Sequence, residues 1–110
     1  IGDKAETIGN YAFYDCSSAV NIEIGNSIKT IGNYAFYNCD ALKAFDLSSN
    51  RSLTKIGEHA FDGCTNLTTV IFEGEPRLET IGNYAFKDCP NLTTVYNFQN
   101  LYQTKGSQVY

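Results

Sequence analysis

The sequence predicts an α/β solenoid of about four stacked coils, and three observations carry that prediction. A nine-residue phrase returns four times: Ile8-Gly9-x-x-Ala12-Phe13-x-x-Cys16, then again from Ile31 to Cys39, from Ile56 to Cys64 and from Ile81 to Cys89. The copies follow one another at a near-constant interval, which falls in the period range of arrays built from one supersecondary unit per repeat. Each Cys is followed by a short extended phrase with apolar residues at fixed offsets, as in Leu42-Lys-Ala-Phe45-Asp-Leu47 and Leu67-Thr-Thr-Val70-Ile-Phe72. Alternation of this kind over a few residues is the mark of a strand with one buried face.

Within one coil the elements follow in a fixed order. The Ala-Phe pair reads as a short helical turn, with Phe filling the interior and Ala allowing close approach of the next coil. Gly after Ile marks a backbone position that a side chain would obstruct. The strand comes next; Ala19-Val-Asn-Ile22-Glu-Ile24 and Leu92-Thr-Thr-Val95 are its weaker copies. A polar turn ends each coil, as in Gly25-Asn26-Ser27 or Glu73-Gly74-Glu75-Pro76, and the chain re-enters at Ile28, Leu53 or Leu78. One coil alone cannot bury its Ile, Phe, Cys and Leu, so the coils must stabilise one another as nearest neighbours. The chain reads as a single domain over 1–110, with coils near 7–29, 30–54, 55–79 and 80–98. The tail 99–110, which carries Leu101, Tyr102, Val109 and Tyr110, is expected to cap the last coil. The opening Ile1-Gly2 falls in mid-repeat and suggests a fragment of a longer array.

Bulk composition narrows the function. The 110 residues are 43% hydrophobic and 14% aromatic, which is ordinary for a folded chain. A net charge of -4, with its eight basic residues scattered singly, argues against a nucleic-acid surface. No apolar run approaches the roughly 20 residues of a membrane span, so membrane insertion is not expected.

The phrase Ile-Gly-x-x-Ala-Phe-x-x-Cys-x-x-Leu-x-x-Val resembles the BspA-like, or Treponema pallidum-type, leucine-rich-repeat family over about residues 7–98. Departures are Ala19 for the strand Leu, Glu58-His59 for Asn-Tyr, and Asn97 where an apolar residue belongs. The resemblance implies a right-handed horseshoe with short parallel strands on its concave face and the helical turns on its convex side. It also implies a secreted or cell-surface protein, extracellular in location, with an adhesive role toward a protein or glycan; host matrix proteins are among the candidates.

The side chains capable of chemistry are few. Cys16, Cys39, Cys64 and Cys89 share one repeat position, so they should form a row about one strand spacing (~4.8 Å) apart. That row is incompatible with a tetrahedral metal site. It favours buried free thiols, acting as small hydrophobes, over disulfides between neighbours. His59, the one histidine, stands at the place of Tyr11, Tyr34 and Tyr84. It reads as a polar substitution on an exposed turn; the competing reading, a base activating Cys64, lacks a third residue to orient the imidazole. Asp15, Glu58, Asp62 and Asp88 read as solvated charge on the same edge. Sequons at Asn50-Arg-Ser52, Asn66-Leu-Thr68 and Asn91-Leu-Thr93 are weak evidence of glycosylation, because two of them recur with the repeat. Neither catalytic residues, a metal site nor a cofactor is expected.

If Leu, Val and Phe of each strand point inward, the residues between them face the concave side. These are Asn21, Glu23 and Gly25, then Ala44, Asp46 and Ser48, then Thr69, Ile71 and Glu73, and last Thr94, Tyr96 and Phe98. The face is acidic and small at one end and apolar at the other, and Ile71, Tyr96 and Phe98 are candidates for a protein contact. The alternative is a structural spacer within a larger surface protein.

Overall fold

In a computed structural model, which describes residues 4–72, 78–92 and 94–95, the chain forms two parallel sheets of four strands each. The strands are β1 (Thr7–Ile8), β2 (Asn21–Glu23), β3 (Thr30–Ile31), β4 (Ala44–Leu47), β5 (Lys55–Ile56), β6 (Thr69–Phe72), β7 (Thr80–Ile81) and β8 (Thr94–Val95). One sheet runs β1-β3-β5-β7 and the other β2-β4-β6-β8, so each coil gives one strand to each sheet. Register follows the repeat: Ile8, Ile31, Ile56 and Ile81 align in the first sheet, and Ile22, Phe45, Val70 and Val95 in the second. This is the expected solenoid. The path from the Ile of one phrase to the start of the following strand has the same length in every coil: Ile8 to Asn21, Ile31 to Ala44, Ile56 to Thr69 and Ile81 to Thr94. The return from that strand to the next phrase is shorter in the first coil, Asn21 to Ile31, than in the second and third, Ala44 to Ile56 and Thr69 to Ile81. The variable length therefore lies wholly in the polar turn.

The core lies between the sheets and is built of ladders. Phe13, Phe36, Phe61 and Phe86 stack face to face, with centroids 5.1, 5.2 and 5.2 Å apart and planes within 7° of parallel. Phe45 packs edge-on against both Phe36 and Phe61, at 5.0 and 4.9 Å. Ala35, Ala60 and Ala85 are fully buried, as are Ile31, Ile56 and Leu42.

The expected helical turn is replaced by something tighter: among the described residues there is no helix. An α-helix is about 10–12 Å across, whereas the coils repeat at the ring spacing of 5.1 Å, close to the strand spacing of the sheets. A helical turn on one side would splay the stack. The segment instead divides its peptide N–H groups between two uses. Ala12, Tyr14 and Cys16 donate within the coil to Gly9, Tyr11 and Phe13, three residues back. Tyr11, Phe13 and Asp15 donate across to the carbonyls of Asn33, Ala35 and Tyr37 at 3.0, 2.7 and 2.8 Å. Tyr34, Phe36 and Asn38 repeat the crossing to Glu58, Ala60 and Asp62, and His59, Phe61 and Gly63 repeat it to Asn83, Ala85 and Lys87. Two left-handed residues per coil make this path: Tyr11 and Asp15, Tyr34 and Asn38, His59 and Gly63, Tyr84 and Asp88, with φ between 54° and 82°. Asp, Asn and Gly tolerate that region; Tyr and His do so at a cost of order 1–3 kcal/mol, here offset by stacking and the crossing bonds.

The glycine after Ile is required by the neighbouring coil, not by its own φ. A Cβ on Gly32, Gly57 or Gly82 would lie 2.4–2.5 Å from Asn10, Asn33 or Glu58 of the preceding coil. Asn10 Oδ1 accepts the Asn33 N–H at 2.8 Å and Asn33 Oδ1 accepts the Glu58 N–H at 2.9 Å, so the asparagine closes the space the missing side chain leaves.

Candidate functional site

Strands of the second sheet bury alternate residues. Phe45, Leu47 and Val70 point inward and are buried, while Asn21 and Glu23 are exposed and Ala44, Asp46, Thr69 and Ile71 are half-buried. Register sets two rows across the outward face: Asn21, Ala44 and Thr69 in one, with Thr94 next in line, and Glu23, Asp46 and Ile71 in the other. The face expected from the alternation is therefore assembled as far as it is described. Asp46 also shapes its own turn, because its Oδ1 accepts the Ser48 N–H at 2.8 Å. The Gly25 carbonyl is occupied by an Asn50 Nδ2 hydrogen at 2.8 Å. Glu73, Tyr96, Phe98 and the capping tail 99–110 lie outside the described residues; of the expected apolar patch only Ile71 is placed.

A second surface was not anticipated from the sequence. At the fourth position of the phrase the rings form a column: Tyr11 stacks on Tyr34 at 5.1 Å, Tyr34 on His59 at 4.7 Å, and His59 lies 5.1 Å from Tyr84. Tyr14 stacks on Tyr37 in a parallel column at 5.0 Å. The columns are joined within each coil by a pair three residues apart, namely Tyr11–Tyr14 at 5.5 Å and Tyr34–Tyr37 at 5.4 Å. In the third coil that pair is His59 with Asp62, Nδ1 to Oδ2 2.7 Å, and in the fourth it is Tyr84 with Lys87, whose ammonium lies 5.4 Å from the ring centre. The signal was present in the sequence as Tyr-x-x-Tyr, but only the crossing of two coils at ring spacing turns it into a surface.

This geometry corrects two expectations. His59 is half-buried between tyrosine rings, not a substitution on an exposed turn, and Asp62 is buried while Asp15, Glu58 and Asp88 are exposed. The imidazole and carboxylate replace a Tyr–Tyr pair with one hydrogen-bonded pair in the same place.

The cysteines are free: Cys39 and Cys64 are buried, Cys16 and Cys89 half-buried. They form the expected row, yet they do more than fill space. Each of the last three thiols donates to a Phe carbonyl of the preceding coil: Cys39 to Phe13 at 3.1 Å, Cys64 to Phe36 at 3.2 Å and Cys89 to Phe61 at 3.0 Å. Contact with the Cys39 and Cys89 thiols, and then burial, pushes the Cys64 thiol far above its ordinary value, so it stays protonated. A protonated thiol aimed into the core cannot be the nucleophile of His59. Among the described residues no three His, Cys, Asp or Glu side chains group as metal ligands.

The sequon asparagines are also structural. Asn50 is 8% exposed. Its Nδ2 donates to Gly25 and Ile28 carbonyls at 2.8 and 3.0 Å, and its Oδ1 accepts the Ser52 and Leu53 N–H groups. A sugar on that nitrogen would displace one of its two hydrogens. Asn66 and Asn91 each donate to the coil before, to Asp40 and Thr65 carbonyls at 2.7 and 2.8 Å.

Known proteins resemble this arrangement. The sequence model of the BspA type leucine rich repeat region matches residues 1–109 in six copies, beyond the stretch that the recurring phrase spans. The leucine rich repeat protein of T. pallidum (TpLRR) is 28% identical, with a TM-score of 0.51 over 82% of this chain and 51% of that one. A leucine rich cell surface protein of Faecalibacterium prausnitzii A2-165 is 21% identical, with a TM-score of 0.52 over 82% of this chain and 42% of that one. The chain thus spans about half the length of the solved relatives. None of the curated proteins matches the sequence.

Proposed function

Because the chain belongs to the family of BspA-type leucine-rich repeats, we propose that it is a non-enzymatic binding module of a secreted or cell-surface protein. In this reading it is adhesin-like and takes a protein or glycan on the outward face of the second sheet. The observation that carries the reading is the pair of in-register rows, Asn21–Ala44–Thr69 and Glu23–Asp46–Ile71. They give a rigid strip of small, polar and acidic groups at strand spacing whose positions the core does not consume. The likeness to a leucine rich cell surface protein supports the fold and makes a surface location the natural setting.

The experiment is binding of the purified chain to an array of matrix proteins and glycans, beside a variant carrying Asn21→Lys and Thr69→Lys. Binding by the native chain that falls at least tenfold in a folded variant supports this face. Binding that survives the change moves the site elsewhere. A second reading, a structural spacer that presents another domain, is favoured by how many polar side chains are spent between coils: Asn10, Asn33, Asn50, Asn66 and Asn91 all bond to a neighbouring coil. Silence of both proteins on the array would favour the spacer.

A further inference from the structure

The two ring columns run through coils that have a neighbour on each side, and their outer edges stay accessible there. Tyr34, Tyr37 and His59 are half-buried where Phe36 and Phe61, on the same segments, are buried. The backbone does not require these rings. Tyr34, His59 and Tyr84 hold φ between 55° and 61°, a region that Asn or Gly enters at less cost while making the same crossing bonds. Strain kept at one repeat position points to a use for the side chains there. Charge is gathered on the same edge. The four phrases contain four carboxylates, Asp15, Glu58, Asp62 and Asp88, and a single lysine, Lys87; the other basic residues all lie outside them. Asp62 is taken by His59 at 2.7 Å, but Asp15, Glu58 and Asp88 are exposed, and none of them forms an ion pair among the described residues. Asp15 accepts only a neutral donor, Asn38 Nδ2 at 3.0 Å.

We infer that this edge is a second binding surface, separate from the outward face of the second sheet, and that it takes a basic segment of a partner protein lying along the columns. The chain itself shows the mode of contact. At the position of Tyr14 and Tyr37 the fourth coil carries Lys87, whose ammonium lies 5.4 Å from the centre of the Tyr84 ring, within the range at which a cation is attracted to an aromatic face. A partner's Arg or Lys would use the edge in the same way, with its stem along the rings and its head at a carboxylate. Arginine suits it best, because its planar fork matches a carboxylate. Asp15 and Asp88 occupy the same repeat position three coils apart. The coil step is 5.1–5.2 Å, so they stand about 15 Å apart, a span that an extended segment covers in about five residues at ~3.3 Å each. Two cations five positions apart therefore meet both carboxylates. An acidic partner would be repelled, and a second copy of this chain would set the same acidic edge against itself. This surface goes beyond the binding reading above and does not depend on it.

The test measures binding of a short peptide with arginines five positions apart, by fluorescence anisotropy at low and at physiological salt, to the chain and to two folded variants. Asp15→Asn with Asp88→Asn removes two carboxylates of the edge. Glu6→Gln with Glu79→Gln removes the same charge from exposed positions beside the first sheet and serves as the control. The peptide is expected to bind the native chain, with affinity about tenfold lower in the first variant and less than about twofold lower in the control. The ring resonances of Tyr34 and Tyr37 should shift on binding, and a peptide with glutamates in place of the arginines should not bind. Equal losses in the two variants would overturn the inference, since net charge alone would then account for the binding. So would failure of the arginine peptide to bind at low salt, equal binding of the glutamate peptide, or binding that leaves the Tyr34 and Tyr37 rings unmoved.

Discussion

The first and third coils carry the same phrase, yet the same residues do different work in them. In the third, Ala60, Phe61 and Cys64 are buried between two neighbours, and Gly57 lies against Asn33. In the first, Ala12 is exposed, Phe13 and Cys16 are half-buried, and Gly9 faces open space. The difference teaches that the stabilising unit is the junction and not the coil. A residue contributes according to how many neighbours complete its ladder, which is the nearest-neighbour behaviour of repeat proteins.

The comparison can be broken most forcefully at the phenylalanines. Phe61 has a ring stacked on each side and Phe45 against its edge, whereas Phe13 is stacked on Phe36 alone among the described residues. Phe61→Ala is expected to cost about 3–5 kcal/mol, and Phe13→Ala about half as much or less. Urea titration of the two variants checks this; equal losses would contradict the junction view.

A smaller effect separates the polar turns. Asn50 satisfies two carbonyls of the first coil and two N–H groups of its own turn. Three residues before Ile28 the first coil has Gly25, which has no side chain to do the same. Asn50→Ala should cost about 2–3 kcal/mol by leaving those groups unpaired, and faster hydrogen exchange at Leu53 would locate the loss. Ser49→Ala, on the exposed neighbour, should stay within about 0.5 kcal/mol.

The smallest and most diagnostic test concerns the third coil's exception. His59→Tyr restores the tyrosine column but strands the buried Asp62 carboxylate, at a cost of about 1–3 kcal/mol. Adding Asp62→Tyr rebuilds the Tyr–Tyr pair of the first two coils and should recover most of that loss. Additive destabilisation of the two changes, in a double-mutant cycle, would mean that the pair acts as two independent residues.

Much of this architecture was legible in the sequence because the repeat reports the same constraint four times. Ile31, Phe45, Val70 and the Cys row fall where the spacing puts them, and the outward places of Asn21, Glu23, Ala44, Asp46, Thr69 and Ile71 follow from strand alternation. The Ala-Phe segment was not legible. Its apolar spacing suits a helical turn, and nothing in Tyr11 or Tyr34 announces a left-handed backbone that bulky residues avoid. Asp15, Asn38, Gly63 and Asp88, all residue types that accept positive φ, were the one signal available. His59 and Asp62 were misplaced for a related reason: polar residues were assigned to solvent, although a column of rings had already shielded that edge. The sequons were ambiguous because an Asn that bonds to its neighbour's carbonyl has the same spelling as a glycosylation acceptor.

The stretch of constant length from phrase to strand, beside a return that comes in a shorter and a longer form, has a consequence for how such a chain can change. The phenylalanine stack, the tyrosine columns and the thiols lie in the constant stretch, where adding a single residue would take that coil's side chains out of their ladders. The return tolerates extra length, since the longer turn between Leu47 and Leu53 leaves the downstream strands in step. That rim is where a peptide tag, a protease site or a foreign loop can be grafted into the chain, and where natural length variation can accumulate without reaching the core.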